Sequence, residues 1–302
     1  MSSALKGYAL YLILRSFLEV GGRLPQTLTK AIGPRISGAA LRLMSSTRRR
    51  VLDHLEIAFP DLQDHERRHI MMRCADHFGL MLAETAWLWH ANAEGIEAVC
   101  EVEGIQHIEK ALSEGRGAVF TTAHCGNWEI LGSRLPVAGV PLVSAVRGLD
   151  NPRLDRLVTS SRTRFGTEII PRGPAAGRQL IRALTRGKVV CLLIDQDIRD
   201  VPGVFVPFFG RPAWSPSGAA TLALRLNVPV IPGFSHRRAD GSHVIRVHPP
   251  LLNPEGGSLD DQVHELTAAA TATIERQIRA HPEQWVWMHR RWRRQPSQPE
   301  GH

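Results

Sequence analysis

Only 4 of the 302 residues are cysteine. Cys74, Cys100, Cys125 and Cys191 stand far apart, and no C-x-x-C pair occurs among them, which argues against a zinc ribbon and a thioredoxin-like redox motif. Reduced thiols in a cytosolic setting are the economical reading. Neither G-x-x-x-x-G-K-[ST] nor G-x-G-x-x-G is present, so P-loop kinases, P-loop ATPases and Rossmann dehydrogenases lose the glycine-rich phosphate cradle they depend on. G-x-S-x-G is missing as well, which argues against an ordinary α/β hydrolase. His243 and His248 fall on a strand pattern with no acidic partner at ligand spacing, and neither a metal nor another cofactor is expected. The chain also lacks an apolar run of the roughly 18 to 20 residues needed to cross a bilayer. Its most apolar stretch, LKGYALYLILRSFLEV, is interrupted by Arg15 and Glu19, and no small-residue cleavage site follows closely. There is no internal repeat and no long low-complexity linker; only residues 296–302 read as a loose tail.

What is present is enough apolar material, 43% of residues, to build a sizeable core with a helical appendage. An excess of Lys and Arg over Asp and Glu leaves a formal charge of +8, which draws the surface toward polyanions such as nucleic acid, acidic lipid headgroups or an acidic carrier protein. No nucleic-acid-binding motif accompanies that charge, so nucleic acid is not expected as a partner. Leu10, Ile13, Leu14, Phe17 and Leu18 share a broad helical arc, with Lys6, Arg15 and Arg23 placed to meet lipid phosphates. Such a segment either lies in a membrane interface or packs its apolar face on a core. Both readings stay open.

The chain changes character near residue 100. Before it, residues 27–45 and the run DHERRHIMMRCADHFGLMLAETAWLWH carry apolar residues at helical spacing, with a basic knot, Thr47 to Arg50, between them. After it, short apolar runs at 117–123, 141–146, 188–194, 228–234 and 243–249 alternate with helical stretches near 104–114, 127–136, 151–165, 174–186, 216–226 and 258–281. That alternation predicts an α/β fold: a mixed, mostly parallel sheet flanked by helices. The expected division is an N-terminal helical region over 1–100 carrying the membrane-associating helix, an α/β core over 101–295, and the tail over 296–302.

The chemistry gathers where the first buried strand ends. GAVFTTA reads as strand and NWEILGSRL as helix, with Asn127 as N-cap, so His124 and Gly126 sit in the turn at a carboxyl edge of the sheet, where open α/β folds bind ligands. On one continuous helix His124 and Glu129 would point about 140° apart. A turn followed by a first helical turn can instead fold Glu129 back toward the imidazole. The pair would then act as a general base, with the carboxylate holding the other ring nitrogen. A Cys125 thiol mechanism competes for the same turn, although neighbouring side chains on an extended turn diverge and nothing marks that thiol as activated.

These residues also resemble a known family. AHCGNWE is similar to the H-x-x-x-x-[DE] motif of glycerolipid acyltransferases, in the form found in bacterial lipid A late acyltransferases of the lauroyl/myristoyl family. AVRGLDNPRLDRL, then IDQD with GVFVPFFGRPAWSPSG, and finally PEQWVWMHRRWRR resemble further blocks of that family in order and spacing. Gly148 follows Arg147 where the family often carries Pro. The resemblance implies His124 as general base with Glu129 as its partner, Asn127 supporting the turn, and Arg147 on substrate phosphate or the oxyanion. Asp195, Gln196 and Asp197 would line the cleft, and Pro207, Phe208, Phe209 and Gly210 would wall the acyl chain. Arg15, Arg48, Arg49, Arg50, Arg290 and Arg291, beside Trp285, Trp287 and Trp292, would face an anionic membrane, or else form a solvated basic face over core tryptophans. The implied reaction moves a fatty acyl group from acyl carrier protein, or from acyl-CoA, to a hydroxyl of a lipid A precursor or related phosphoglycolipid. Acylation of another glycolipid or a lysophospholipid, and hydrolysis of an acyl thioester, are the alternatives. The implied place is the cytoplasmic face of a bacterial inner membrane, peripheral or N-terminally anchored.

Overall fold

In a computed structural model, which describes residues 3–296, the Val- and Ile-rich runs become the centre of a seven-stranded sheet. Its strands are β1 (Cys100–Glu103), β2 (Ala118–Thr122), β3 (Leu142–Val146), β4 (Glu168–Pro171), β5 (Val189–Leu193), β8 (Val230–Arg237) and β9 (His243–Val247), in the order β1-β9-β8-β2-β5-β3-β4. Every neighbouring pair is parallel except β8 with β9. β6 (Gly203–Phe208) and β7 (Arg211–Pro216) form a separate antiparallel hairpin. The mostly parallel α/β sheet expected from the alternation is therefore present. Of the strands that escaped the sequence reading, β1 and β4 are four residues long, and CEVE and EIIP carry too few apolar residues to signal themselves, while prolines inside β6 and β7 read as turn signals.

Strand period two sorts the core into two layers. On β2, Val119 faces one layer while Ala118 and Phe120 face the other; on β5, Val190 opposes Val189 and Cys191 in the same way. The first layer is closed by α3 (Ser45–Ala58), α4 (Asp64–Leu88), α9 (Ala176–Thr185), α10 (Gly218–Leu226) and α11 (Leu259–Ala280). The second is closed by α5 (Ala93–Val99), α6 (Gln106–Ser113) and α7 (Trp128–Val137). Because both faces are covered, β2 is buried at all five positions. The basic knot at Thr47 to Arg50 lies inside α3, whose Val51, Leu55 and Ala58 continue a helical apolar stripe into the core.

Two further helices, α1 (Ser3–Gly21) and α2 (Gln26–Leu43), pack on α4. The expected apolar arc of α1 is divided. Leu18 is buried, whereas Leu10, Ile13 and Phe17, together with Val20, stay exposed, and α2 adds exposed Leu28, Ile32 and Ile36. Among the described residues no helix is long and apolar enough to cross a membrane. The side chain of Lys6 and the tail beyond residue 296 lie outside the described residues.

Candidate active site

Register places the central pair. β2 and β5 are adjacent and parallel with Thr122 opposite Leu193, so His124 and Asp195, each two residues further on, emerge side by side at the carboxyl edge. His124 Nδ1 lies 2.8 Å from Asp195 Oδ1, and the His124 backbone amide donates to Oδ2 at 3.0 Å. Trp285 Nε1 donates to the same oxygen at 2.9 Å. Burial of Asp195 opposes ionisation, but the imidazole charge and the hydrogen bonds from His124 and Trp285 outweigh it and hold the carboxyl down at about 2. An ionised carboxylate only accepts, so Nδ1 carries the proton and Nε2 is left as the basic nitrogen. Gln196 Nε2 also approaches Nδ1, at 3.2 Å. The ring is partly exposed to the cavity described below and packs edge-on against Trp128, with centroids 5.0 Å apart.

Glu129 does not hold the imidazole. It is gripped by Arg162 of α8 (Pro152–Thr163), whose Nε donates to Oε2 at 3.0 Å and whose second terminal nitrogen donates to Oε1 at 2.5 Å. The reason is local: Asn127 starts α7 so promptly, accepting from the amides of Glu129 and Ile130 at 3.1 Å each, that Glu129 leaves the turn with the helix and meets α8. A carboxylate from the next strand takes the position expected for it. Burial works against the Arg162 charge, and the bond to Glu129 more than compensates, raising its pKa above the usual guanidinium value.

The turn is braced from behind. Gly126 has φ +57°, and a Cβ there would sit 2.2 Å from the Ser235 carbonyl oxygen of β8, so both its conformation and its space demand glycine. Its amide donates to the Gln284 carbonyl at 2.9 Å, and its own carbonyl pairs with His77 Nε2 at 3.0 Å. Asn127 is fully buried and donates to Glu84 Oε2 at 2.8 Å, so it supports the turn and does not line the cavity described below. Glu84 also accepts from Arg237, at 2.8 Å through the second terminal nitrogen, and meets His243 Nε2 at 3.1 Å. Burial pushes this carboxyl up, yet His243 and Arg237 overcome that and bring it down to about 2.

A cavity of about 1170 Å³ opens over His124. Glu129, Arg162, Gln196, Asp197 and His289 line its polar part, while Leu180, Ile181, Leu192, Leu193, Leu222 and Leu226 give an apolar wall between β5, α9 and α10. Arg147 and Arg172 line it too. They extend from adjacent strand ends, since Val146 pairs with Pro171, and no carboxylate bonds to either among the described residues. Burial and repulsion from Arg147 lower the pKa of Arg172.

Several expected contacts lie elsewhere. Asp195 is beneath the imidazole, fully buried, and is not part of the cavity wall. Asp197 reaches the cavity but is clamped by Arg293 at 2.8 Å and by the Arg294 amide at 3.1 Å. Phe208 and Phe209 do not line the cavity; they are buried against Trp285, Trp287 and Trp292, because the β6–β7 hairpin folds its tip onto that aromatic cluster. Arg291 is fully buried under the Phe208 ring at 4.7 Å, donating to Ser215 Oγ at 2.6 Å, and burial lowers it to about 10. It and the three tryptophans face the core, not a membrane. Arg50 ties α3 to the Met288 carbonyl at 3.2 Å and Arg48 donates to the Arg42 carbonyl, while Arg15 donates to Tyr11 Oη at 2.9 Å. Arg49 and Arg290 are exposed. Arg162, Arg172, His289 and Trp128 escaped the sequence reading. Trp128 and His289 stood inside the quoted AHCGNWE and PEQWVWMHRRWRR blocks, whereas nothing local distinguishes Arg162 or Arg172 from other arginines.

Two rival chemistries can be checked against the geometry. The chain does carry one H-E-x-x-H string, His65 to His69, but both histidines are exposed and Glu66 is spent on the Gln63 amide at 2.7 Å as a helix cap. Among the described residues no group of three or more His, Cys, Asp or Glu side chains could hold a metal ion. Cys125 is buried, and burial together with Asp195 pushes its thiol well above the usual range, the opposite of an activated nucleophile.

An imidazole held by a buried aspartate, over a largely apolar cavity with unpaired arginines, defines an enzyme of the acyl-transfer class. The sequence matches the bacterial lipid A biosynthesis acyltransferase family over residues 2–294, and the chain belongs to that family. It is 31% identical over 278 residues to the lipid A biosynthesis lauroyltransferase of Escherichia coli (strain K12), covering 91% of this chain and 88% of that one. Identity to the lipid A biosynthesis palmitoleoyltransferase of the same organism is 25% over 275 residues, with coverage of 91% and 88%. A phosphatidylinositol mannoside acyltransferase of Mycolicibacterium smegmatis is 29% identical over 197 residues, covering 64% of this chain and 62% of that one.

Proposed function

We propose that this acyltransferase moves a fatty acyl group from an acyl thioester, carried by acyl carrier protein or CoA, to a hydroxyl of a lipid A precursor at a membrane surface. The observation that carries the reading is the His124–Asp195 pair opening onto a cavity that is apolar along one wall and cationic at Arg147 and Arg172. His124 Nε2 takes the proton of the acceptor hydroxyl as its oxygen bonds to the thioester carbonyl carbon. The C–S bond then breaks, and the imidazolium returns the proton to the departing thiolate, leaving an ester and a free thiol. Asp195 stabilises the imidazolium between those two events. Glu129, held by Arg162, orients the acceptor, and Arg147 with Arg172 receives its phosphate, a task suited to guanidinium forks without carboxylate partners. The apolar wall from α9 and α10 takes the acyl chain. Exposed leucines, isoleucines and phenylalanine on α1 and α2, with Arg15 and Arg49 nearby in sequence or fold, support seating in a lipid interface.

Mass spectrometry of purified protein incubated with acyl carrier protein or CoA thioesters and a panel of lipid acceptors tests the reading. Acylated lipid A precursor is expected, with His124→Ala lowering the rate on the order of 10²-fold or more while the fold is retained. Full activity in that variant removes the mechanism. Thioester consumption that does not depend on the acceptor identifies a hydrolase instead.

A further inference from the structure

The catalytic cavity has an arm on each face of the sheet. Of its apolar lining, Leu180, Leu192 and Leu222 belong to or pack on the first core layer, whereas Leu88, Leu131, Leu142 and Cys191 belong to the second. Ser144 of β3 pairs with Cys191 of β5, and both line the second arm. Ala145 and Leu192, one residue further on, point to the opposite face and line the first. A volume of about 1170 Å³ exceeds the roughly 300–1,000 Å³ usual for one small ligand. Two fatty substrates meet in the proposed reaction, and the cavity has an arm for each.

The second arm is an enclosed slot between α7, α8 and the sheet. Thr122, Cys191 and Leu142 descend it on the sheet side, since register sets Thr122 level with Leu193 and Leu142 level with Val189. His124 stands six residues above the Leu142 level, so at roughly 3.3 Å per strand residue the slot runs about 20 Å down from the imidazole, the length of an extended fatty acyl chain. Its helix side is Trp128, Glu129, Leu131, Gly132 and Ser133, and at about 100° per residue Gly132 sits at the centre of that arc. Glycine is disfavoured inside a helix, and neither of its usual justifications applies here. Gly132 has no positive φ, and beyond its own helical turn a Cβ there would find no heavy atom within 4 Å. The missing side chain keeps the slot open. Three of the slot's hydroxyls are spent on helix carbonyls, Thr85 on Met81 at 2.9 Å, Ser133 on Glu129 at 2.8 Å and Thr167 on Gly132 at 2.6 Å, which leaves their carbon atoms to face a hydrocarbon. Thr122 Oγ1, two residues before His124, is buried with no partner among the described residues, and a polar atom of a lipid bound beside the imidazole would satisfy it.

We propose that this slot holds a fatty acyl chain of the acceptor lipid, on the opposite face of the sheet from the donor's chain, and that Gly132 sets the length of chain it admits. Glu129 lies one helical turn before Gly132 on α7, so the carboxylate read as orienting the acceptor stands at the mouth of the slot. Arg162, which grips Glu129, closes the same mouth from α8. The wall from α9 and α10, on the other face, is left to the donor. The inference rests on those readings of Glu129 and of the α9–α10 wall.

Two substitutions at one position test it. Alanine is the better helix former and has room, so Gly132→Ala is expected to melt at or above the wild-type temperature. A lower melting temperature would mean that packing requires the glycine, and overturns the open slot. Gly132→Met fills the slot. With acceptor precursors of full-length and shortened acyl chains, Gly132→Met is expected to lower kcat/KM for the full-length acceptor roughly tenfold or more relative to the shortened one. Preference among lauroyl, myristoyl and palmitoyl thioesters is expected to stay as in wild type. An unchanged acceptor preference overturns the proposal, and so does a shift in thioester preference, which would give the slot to the donor. Fluorescence titration with a lysophosphatidic acid carrying a cis-parinaroyl chain reads binding without turnover, and Gly132→Met is expected to weaken it about tenfold. Equal affinity in wild type and variant overturns the slot. Binding that depends on Gly132, in a protein that transfers to no lipid acceptor, supports the slot and strikes the proposed reaction alone.

Discussion

At the scale of single residues, two carboxylates near one imidazole do different work because of what else binds them. Asp195 has no exposure and three donors aimed at it, which keeps it ionised and fixes the His124 tautomer. Glu129 is already neutralised by Arg162 and leans toward the cavity. Asp195→Asn is therefore expected to lower kcat on the order of 10²-fold with little change in KM, because the imidazole loses its tautomer and its counter-charge. Glu129→Gln is expected to act mainly on KM, by roughly tenfold or less, through acceptor placement. Steady-state kinetics of the two variants separates the roles, and the reverse pattern would restore Glu129 as the partner of His124. The motif string showed which histidine mattered and offered a carboxylate five positions along. It was silent about a carboxylate 71 positions along, because strand pairing decides that proximity.

At the scale of elements, the turn after β2 is the part that tolerates least. Gly126→Ala adds a methyl against the Ser235 carbonyl in a left-handed conformation, and a loss of roughly 2–4 kcal/mol is expected from the combined backbone strain and overpacking. Urea denaturation measures it; a variant as stable as wild type would show that the turn relaxes without cost. Central strands and the helices between them were legible because burial on both faces writes a continuous apolar run. The edge strands β1 and β4 were not, since four residues with a single neighbouring strand leave too short a pattern, and the β6–β7 hairpin was not, since its prolines read as turns. The aromatic residues at the hairpin tip illustrate the same limit. PFFG reads equally well as a ligand wall or as core, and only the packing of Phe208 and Phe209 on the closing tryptophans chooses core.

At the scale of the whole molecule, the helical N-terminal part and the sheet are joined by buried charge. Glu84 of α4 reaches Asn127 at the catalytic turn and Arg237 and His243 on β8 and β9. Its folded pKa, about 2, lies below the ordinary 4.5, so between those values the unfolded chain binds the extra proton. Its stabilising contribution is thus complete above about 4.5 and is lost as pH falls toward 2. Asp195 acts in the same direction, from 3.8 to about 2. Glu84→Gln is expected to lower stability at neutral pH by roughly 3–5 kcal/mol, by leaving the Arg237 charge buried without its partner. It should also flatten the acid limb of a plot of urea midpoint against pH. An acid limb as steep as that of wild type would place the proton linkage elsewhere.

What the sequence determined by itself was local or additive: a globular composition, a net positive charge, strand and helix periods along the core, and a histidine in a strand-to-helix turn capped by Asn127. Each of these depends on residues a few positions apart or on a sum over the chain. The tertiary structure alone decided that His124 meets Asp195, that Glu129 meets Arg162, and that the tryptophans and Arg291 of the closing segment turn inward. Those outcomes depend on which strands lie side by side and in what register, and parallel pairing brings together residues whose separation along the chain carries no mark of it.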